Sequence, residues 1–324
     1  MVEEFAHLKI EDHEHYTICY LSNPPSHTLT ASGLSEIHQF LDEVEKKKDL
    51  RVLVFTGAGK DVFIKHYEVG ELADTAEKNL QEVDKQESPE ELHAFHRMLL
   101  RIRDLDSIVV AGINGNTAGG GCEFSLGCDL RVMSDGPYQI GLPETSVGIL
   151  PGGGGTQRLS RLIGSSRALD LILHAKLLSP KEAYDLGIIN KLLSSENFME
   201  DLKLYCQDLA NRAPIALTQV KKIIHQGLDV TLEEGLMLEQ KAFNVTMNSK
   251  DAAKAMRSLL NSDENIEDVT KFNKEQVWPI HFDIKMQPHC HRILFEHANG
   301  ELYQLDIPNS VYNQLKTVER VTKH

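Results

Sequence analysis

Two acidic residues stand beside glycine-rich stretches. Glu123 follows Gly119-Gly120-Gly121-Cys122, and Glu144, in Gly141-Leu142-Pro143-Glu144, lies just before Pro151-Gly152-Gly153-Gly154-Gly155. Glycine loses more backbone entropy on ordering than any other residue, so a run of three marks a place where the main chain approaches something closely. If the first run leads from a strand into a short helix, that helix's first amides lack intrahelical partners and carry the positive end of its dipole. Such amides stabilise an oxyanion, and one donor is typically worth about 2.7–4 kcal/mol of activation free energy. Two carboxyls in unlike surroundings can share the work of proton transfer, the ionised one activating water and the protonated one delivering a proton. Together these groups suit addition of water, or movement of a proton, next to a carbonyl that becomes an enolate.

Each feature alone has a plainer explanation. A tight strand-to-helix turn accounts for the first glycine run, and an ordinary helix N-terminal acid accounts for Glu144. The spacing of Gly115, Gly119, Gly120 and Gly121 does not match the G-x-G-x-x-G dinucleotide fingerprint. The second run lacks the Gly-Lys-Ser/Thr ending of a phosphate loop, and no G-x-S-x-G elbow points to a serine hydrolase. The combination of two acids with two amide-rich loops carries the reading.

The elements around them alternate. HYTICYLS is strand-like, NPPSHT is a turn, and LSEIHQFLDEVEKK places Leu34, Ile37, Leu41 and Val44 at helical spacing. RVLVFTGAG and SIVVAGI read as buried strands, the second delivering the chain into the glycine run. A β-α-β order of this kind favours a parallel sheet covered by helices. Residues 71–91 read as an exposed helix and loop. Ser88-Pro89-Glu90-Glu91 reads as the start of a helix carrying Leu92, Phe95, Leu99 and Ile102 on one face. LRVMS is a further strand and DGPY a hairpin tip. TLEEGLMLEQKAFNVTM is a helix with Leu232, Leu236, Leu238, Phe243 and Val245 apolar. In RILFEHANGELYQLDI, Asn299-Gly300 between strand-like runs signals a β-hairpin in a small appendage.

The chain has 324 residues, 41% of them hydrophobic and 25% charged, with a net charge of −14. That balance argues against a nucleic-acid or anionic-membrane surface, which would need a basic patch. No stretch is long and apolar enough for a membrane span, and the beginning lacks the regions of a signal peptide. Five scattered cysteines (Cys19, Cys122, Cys128, Cys206, Cys290) suit thiols in a reducing compartment, so a cytoplasmic location is expected. His281, His289, His291 and His297, around Cys290, are expected to be surface histidines rather than a metal site.

The runs NPPSHTL, RVLVFTGAGK, AGINGNTAGGGCEFSLGCDLRV, GLPETSVGILPGGGGTQRLSRLIG and LLSPKEAYDLGIIN occur in the order of the crotonase superfamily, and in detail the chain resembles enoyl-CoA hydratases over roughly residues 5–250. The resemblance implies an α/β fold, with a crotonase-like spiral of ββα units (1–200) and a helical oligomerisation region (201–265); the hairpin signal adds a small β-rich C-terminal extension (266–324) in which the chain departs from the family. The resemblance also implies an acyl-CoA thioester as substrate, no separate cofactor because CoA is part of that substrate, and a homotrimer or homohexamer. Glu123 and Glu144 align with the two catalytic glutamates, Glu144 as proton donor to the α-carbon and Glu123 as the acid that activates water. Retention of both favours hydration of a trans-2-enoyl-CoA to a 3-hydroxyacyl-CoA. The alternatives are another crotonase reaction (isomerisation, dehydration or thioester hydrolysis) and a non-catalytic acyl-CoA-binding or scaffold protein.

By the same alignment the amides of Gly120 and Lys65 form the oxyanion hole and Gly152 holds the water. Lys65, Tyr67, Gly119 and Leu142 contact substrate. In the segment Val62-Phe63-Ile64-Lys65-His66-Tyr67-Glu68 the chain departs from the family, with His66 in place of a glycine and Tyr67 at a position that is usually small.

Overall fold

Two nearly apolar strands, VLVFTG and IVVAGI, every residue of them buried, stand at the centre of the main sheet. The computed structural model describes residues 5–81, 91–261, 290–296 and 302–308. Its main sheet runs β1-β2-β3-β4-β6-β9, formed by Leu8–Asp12, Tyr16–Leu21, Val52–Gly57, Ile108–Ile113, Leu130–Asp135 and Lys191–Ser194. β1 and β2 are antiparallel with Leu8 opposite Leu21, and every later pairing is parallel, as in Tyr16 with Val52 and Val52 with Ile108. All six residues of β3 and of β4 are buried, as a parallel sheet covered on both faces requires.

α1 (Ala31–Val44), α3 (Ala94–Asp104) and α4 (Gly120–Gly127) share one core with the sheet. There Phe55 meets Phe40 and Phe124 edge to face, with ring centroids 6.4 and 5.1 Å away. α8 (Phe198–Ala210) sets Leu202 and Cys206 against Ile18, Val54 and Val110 in a second core. Met1–Ser258 is one compact unit, and α8, from the region expected at 201–265, packs on the main sheet. α2 (Val69–Gln81) buries no residue, matching the exposed helix expected there.

α9 (Pro214–Gly227) is pinned by Lys221, whose buried Nζ pairs with Asp129 at 2.8 Å and donates to the Ile102 and Ser107 carbonyls. α10 (Leu232–Met247) begins with a capping box between Thr231 and Glu234. Several of its apolar residues stand uncovered among the described residues: Leu232 is 78% exposed and Phe243 60%.

Several expectations change. α3 begins at Ala94, so Leu92 precedes the helix and is exposed, while Met98 joins Phe95, Leu99 and Ile102 in the core. The Ser88-Pro89 helix start lies outside the described residues. DGPY is not a hairpin tip, because β6 belongs to the main sheet and the next strand, β7 (Ile140–Gly141), pairs elsewhere. Tyr138 of that turn is buried and donates to Asp61 at 2.6 Å. A short second sheet joins β5 (Thr117–Ala118), β7 and β8 (Leu177–Leu178).

The second unit, Leu259–His324, contains an antiparallel pair, β10 (Cys290–Glu296) and β11 (Leu302–Pro308), with Glu296 opposite Leu302. The expected hairpin is therefore present, and its Asn299-Gly300 turn lies outside the described residues, as do His281, His289 and His297. Cys19, Cys122, Cys128 and Cys206 are buried free thiols. No helix among the described residues is long and apolar enough to cross a membrane.

Candidate active site

β5 and β7 run parallel in the small sheet and deliver the two acids, since β5 leads into the glycine run and β7 into Glu144. The three glycines then serve different needs. Gly119 adopts φ 51°, ψ −125°, a conformation that L side chains rarely take, and its N–H donates to the Gly141 carbonyl at 2.9 Å. Gly120 opens α4, and a Cβ there would lie 2.9 Å from Tyr67 Cβ and 3.2 Å from Tyr67 N. A Cβ on Gly121 would lie 2.2 Å from the Ile64 carbonyl oxygen. The chain from Ile64 to Tyr67 thus packs directly on the glycine run.

This packing corrects the expected second amide. Lys65 N–H donates to the His27 carbonyl at 2.9 Å, and the Lys65 carbonyl accepts from Ala118 N–H at 3.0 Å, so Lys65 is a pairing residue with an exposed side chain. Tyr67 N–H has no acceptor among the described residues and stands beside Gly120, whose amide, first in its helix, has no intrahelical partner. The N–H groups of Gly120 and Tyr67, neither with an acceptor among the described residues, therefore stand side by side. Local sequence could not show this, because the register is set by pairing with residues 27–29 and 118, both distant in the chain.

Glu123 is 4% exposed, and its Oε1 accepts from Gly153 N–H at 2.7 Å and Gly155 N–H at 2.8 Å. Burial pushes its pKa above the ordinary carboxyl value, while these two amides, which favour the charged form, work against the rise. Glu144 is 8% exposed and opens a 3-10 turn over Glu144–Val147. Its Oε2 has no hydrogen-bond partner among the described residues. Burial, with the charge of Glu123 adding to it, pushes Glu144 up to about 7. The two acids share a site: Glu123 is held by the amides of Gly153 and Gly155, while Glu144 has one backbone hydrogen bond, from its own residue, that works against the rise, and an Oε2 with no partner among the described residues.

Gly153 and Gly155, which hold Glu123, did not stand out in the sequence from their neighbours. The run of glycines was visible; which of its amides turn inward was not. Gly152 is exposed, and its carbonyl accepts from His93 Nε2 at 3.1 Å. Its peptide therefore joins His93 to Gly153, the residue whose N–H reaches Glu123. Arg158 Nη1 donates to the Gly153 carbonyl at 3.2 Å, and His96 stacks on His93 with centroids 3.9 Å apart. Burial lowers the His96 pKa. Leu142, 2% exposed, packs beneath Gly155, where a Cβ would lie 2.8 Å from Leu142 Cδ1.

Steric freedom differs sharply along this loop. A Cβ on Gly152 would meet nothing closer than 3.9 Å. Gly152→Ala is therefore expected to leave the thermal midpoint within about 2 °C of the parent, the surface-substitution range for a domain this size. A larger drop in a melting curve would show that the loop needs glycine here for another reason.

The enoyl-CoA hydratase/isomerase family model matches residues 15–265. The short-chain-enoyl-CoA hydratase of Clostridium acetobutylicum is 30% identical over 232 residues, covering 72% of this chain and 85% of that protein. The crotonyl-CoA hydratase of Syntrophomonas wolfei is 26% identical over 258 residues, 79% of this chain and 95% of its own. The crystal structure of an enoyl-CoA hydratase from Bacillus anthracis superposes with a TM-score of 0.70 at 28% identity, covering 78% of this chain and 95% of that one. The spiral α/β core, the two acids beside glycine-rich loops and these matches lead to one conclusion: the chain belongs to the enoyl-CoA hydratase/isomerase family of the crotonase superfamily.

Proposed function

We propose that the protein adds water across the double bond of a trans-2-enoyl-CoA to give a 3-hydroxyacyl-CoA. The observation that carries this reading is the unequal setting of the two acids. Glu123, held by two amides, is suited to stay ionised and take a proton from water; Glu144, buried with its Oε2 lacking a donor among the described residues, is suited to hold a proton near neutrality. The thioester oxygen takes the amides of Gly120 and Tyr67. Water activated by Glu123 attacks the β-carbon, electron density moves to the carbonyl oxygen as an enolate, and Glu144 returns a proton to the α-carbon. No bond in this sequence is oxidised or reduced and CoA is part of the substrate, so no further cofactor is required.

The test is loss of enoyl absorbance on mixing the protein with crotonyl-CoA across a range of pH. Protonated Glu144 is needed, so the rate is expected to fall as pH rises above about 7, roughly tenfold per unit once titration is complete. It falls again on the acid side, where Glu123 takes up a proton. No hydration by folded protein would move the assignment to another acyl-CoA reaction or to a binding role.

The uncovered apolar residues of α9 and α10, among them Ile224, Leu232, Leu236 and Phe243, support self-association into a homotrimer or homohexamer. Sedimentation showing only monomer at micromolar concentration would remove that part of the reading.

A further inference from the structure

We infer that the side chains of Tyr67 and Phe95 wall off the acyl side of the site and restrict the enzyme to short acyl chains. The inference rests on the acyl-CoA reading above and deepens it, and it starts from the contacts that encircle the site.

From Glu144 the perimeter passes through Gly119 to Gly120, where a Cβ would be 2.9 Å from that of Tyr67. The Tyr67 ring meets the Phe95 ring edge to face, with centroids 6.5 Å apart and planes at 76°. Phe95 in turn reaches Gly153, where a Cβ would be 2.6 Å from Phe95 Cε1, and Gly153 holds Glu123. Two aromatic rings therefore fill the arc between the amides that receive the thioester oxygen and the acid that attends the β-carbon. Carbons beyond the β-carbon must pass this arc.

The rings are also fixed. Phe95 is buried among core residues. The Tyr67 hydroxyl lies beside the Glu71 carboxylate, and burial together with that carboxylate pushes its pKa up to about 12. Glu71 itself accepts from Ala31 N–H, the first residue of α1, at 3.1 Å. A ring anchored at its edge and its hydroxyl does not swing aside for a longer chain without breaking those contacts. A small residue at 67 would leave the arc open on one side, which is why the replacement seen here bears on substrate choice.

The experiment compares kcat/KM for crotonyl-CoA and trans-2-octenoyl-CoA in the parent, Tyr67→Ala, Tyr67→Phe and Phe95→Leu. The parent is expected to favour the four-carbon substrate by about tenfold or more, and Tyr67→Ala to shift that ratio at least about tenfold toward the eight-carbon one, within the range known for fitting or refusing apolar groups. Tyr67→Phe keeps the ring and is expected to hold the ratio within about threefold, while Phe95→Leu shifts it in the same direction as Tyr67→Ala. A parent that hydrates both substrates equally well, or a Tyr67→Ala ratio unchanged from the parent, overturns the inference.

Calorimetric titration with butyryl-CoA and octanoyl-CoA, which cannot be hydrated, separates the wall from the reaction. Octanoyl-CoA affinity gained in Tyr67→Ala by a protein that hydrates nothing would sustain the wall and sink the hydratase reading. Hydration with no change of ratio or affinity in the variants would do the reverse.

Discussion

Glu144→Gln is expected to lower kcat for enoyl-CoA hydration by about 10²–10⁴-fold, the usual contribution of a positioned general acid, while making the protein more heat-stable at alkaline pH. Both effects come from one cause. Glu144 is buried, its Oε2 lacks a donor among the described residues, and its folded-state pKa is raised to about 7 from an ordinary value near 4.5. Between those values the folded protein holds a proton that the unfolded chain has released, so stability falls as pH rises through this window. Above about 7 the folded protein carries an ionised carboxylate in a buried site, an arrangement that disfavours folding. Glutamine has nearly the same shape, is neutral at every pH and cannot deliver the proton.

The variant's melting temperature should therefore exceed the parent's by a margin that widens between about pH 5 and 7 and then levels off. Activity surviving in Glu144→Gln would remove it as the acid. A margin that does not depend on pH would mean that the group does not titrate in this range. The paired result, a stabler protein without activity, is the signature of a residue held in an unfavourable protonation environment for function.

Much of this site was legible because its chemistry needs residue types that announce themselves. A parallel-sheet strand buried on both faces is close to an unbroken apolar run, and β3 and β4 are such runs. Glu123 and Glu144 stood out because each lies beside glycines. What failed to show was long-range register. Lys65 N–H is not free for the expected oxyanion role, because it donates to the His27 carbonyl, thirty-eight positions earlier in the chain. Similarly, DGPY carries good turn residues, yet it joins strands of two different sheets, a matter decided by pairing with β5 and β8. The apolar pattern of α10 was equally visible, but periodicity alone cannot say whether its own chain or another covers that face.

Gly121→Ala is expected to damage fold and catalysis together, and it tests why three glycines stand in sequence. The added methyl would lie 2.2 Å from the Ile64 carbonyl oxygen, 2.5 Å from Thr117 Oγ1 and 2.9 Å from Ile64 Cβ. None of these atoms is the far end of a flexible side chain. The Thr117 hydroxyl donates to that same Ile64 carbonyl at 2.8 Å, so the three groups are already locked together. Overpacking of this kind typically destabilises by about 1–3 kcal/mol, which at about 2–4 °C per kcal/mol for a domain this size lowers the melting temperature by several degrees. Relief requires the chain around Ile64 to move away from α4, and Tyr67 N–H, three residues on, moves with it. Loss of one oxyanion donor then lowers kcat by about 10²–10³-fold, measured well below the new midpoint so that unfolding does not contribute. If the variant melts like the parent and keeps its rate, the close approach of Ile64 is not what aligns the two amides. If it melts lower but keeps its rate, the third glycine serves packing alone, and the oxyanion site depends on Gly119 and Gly120.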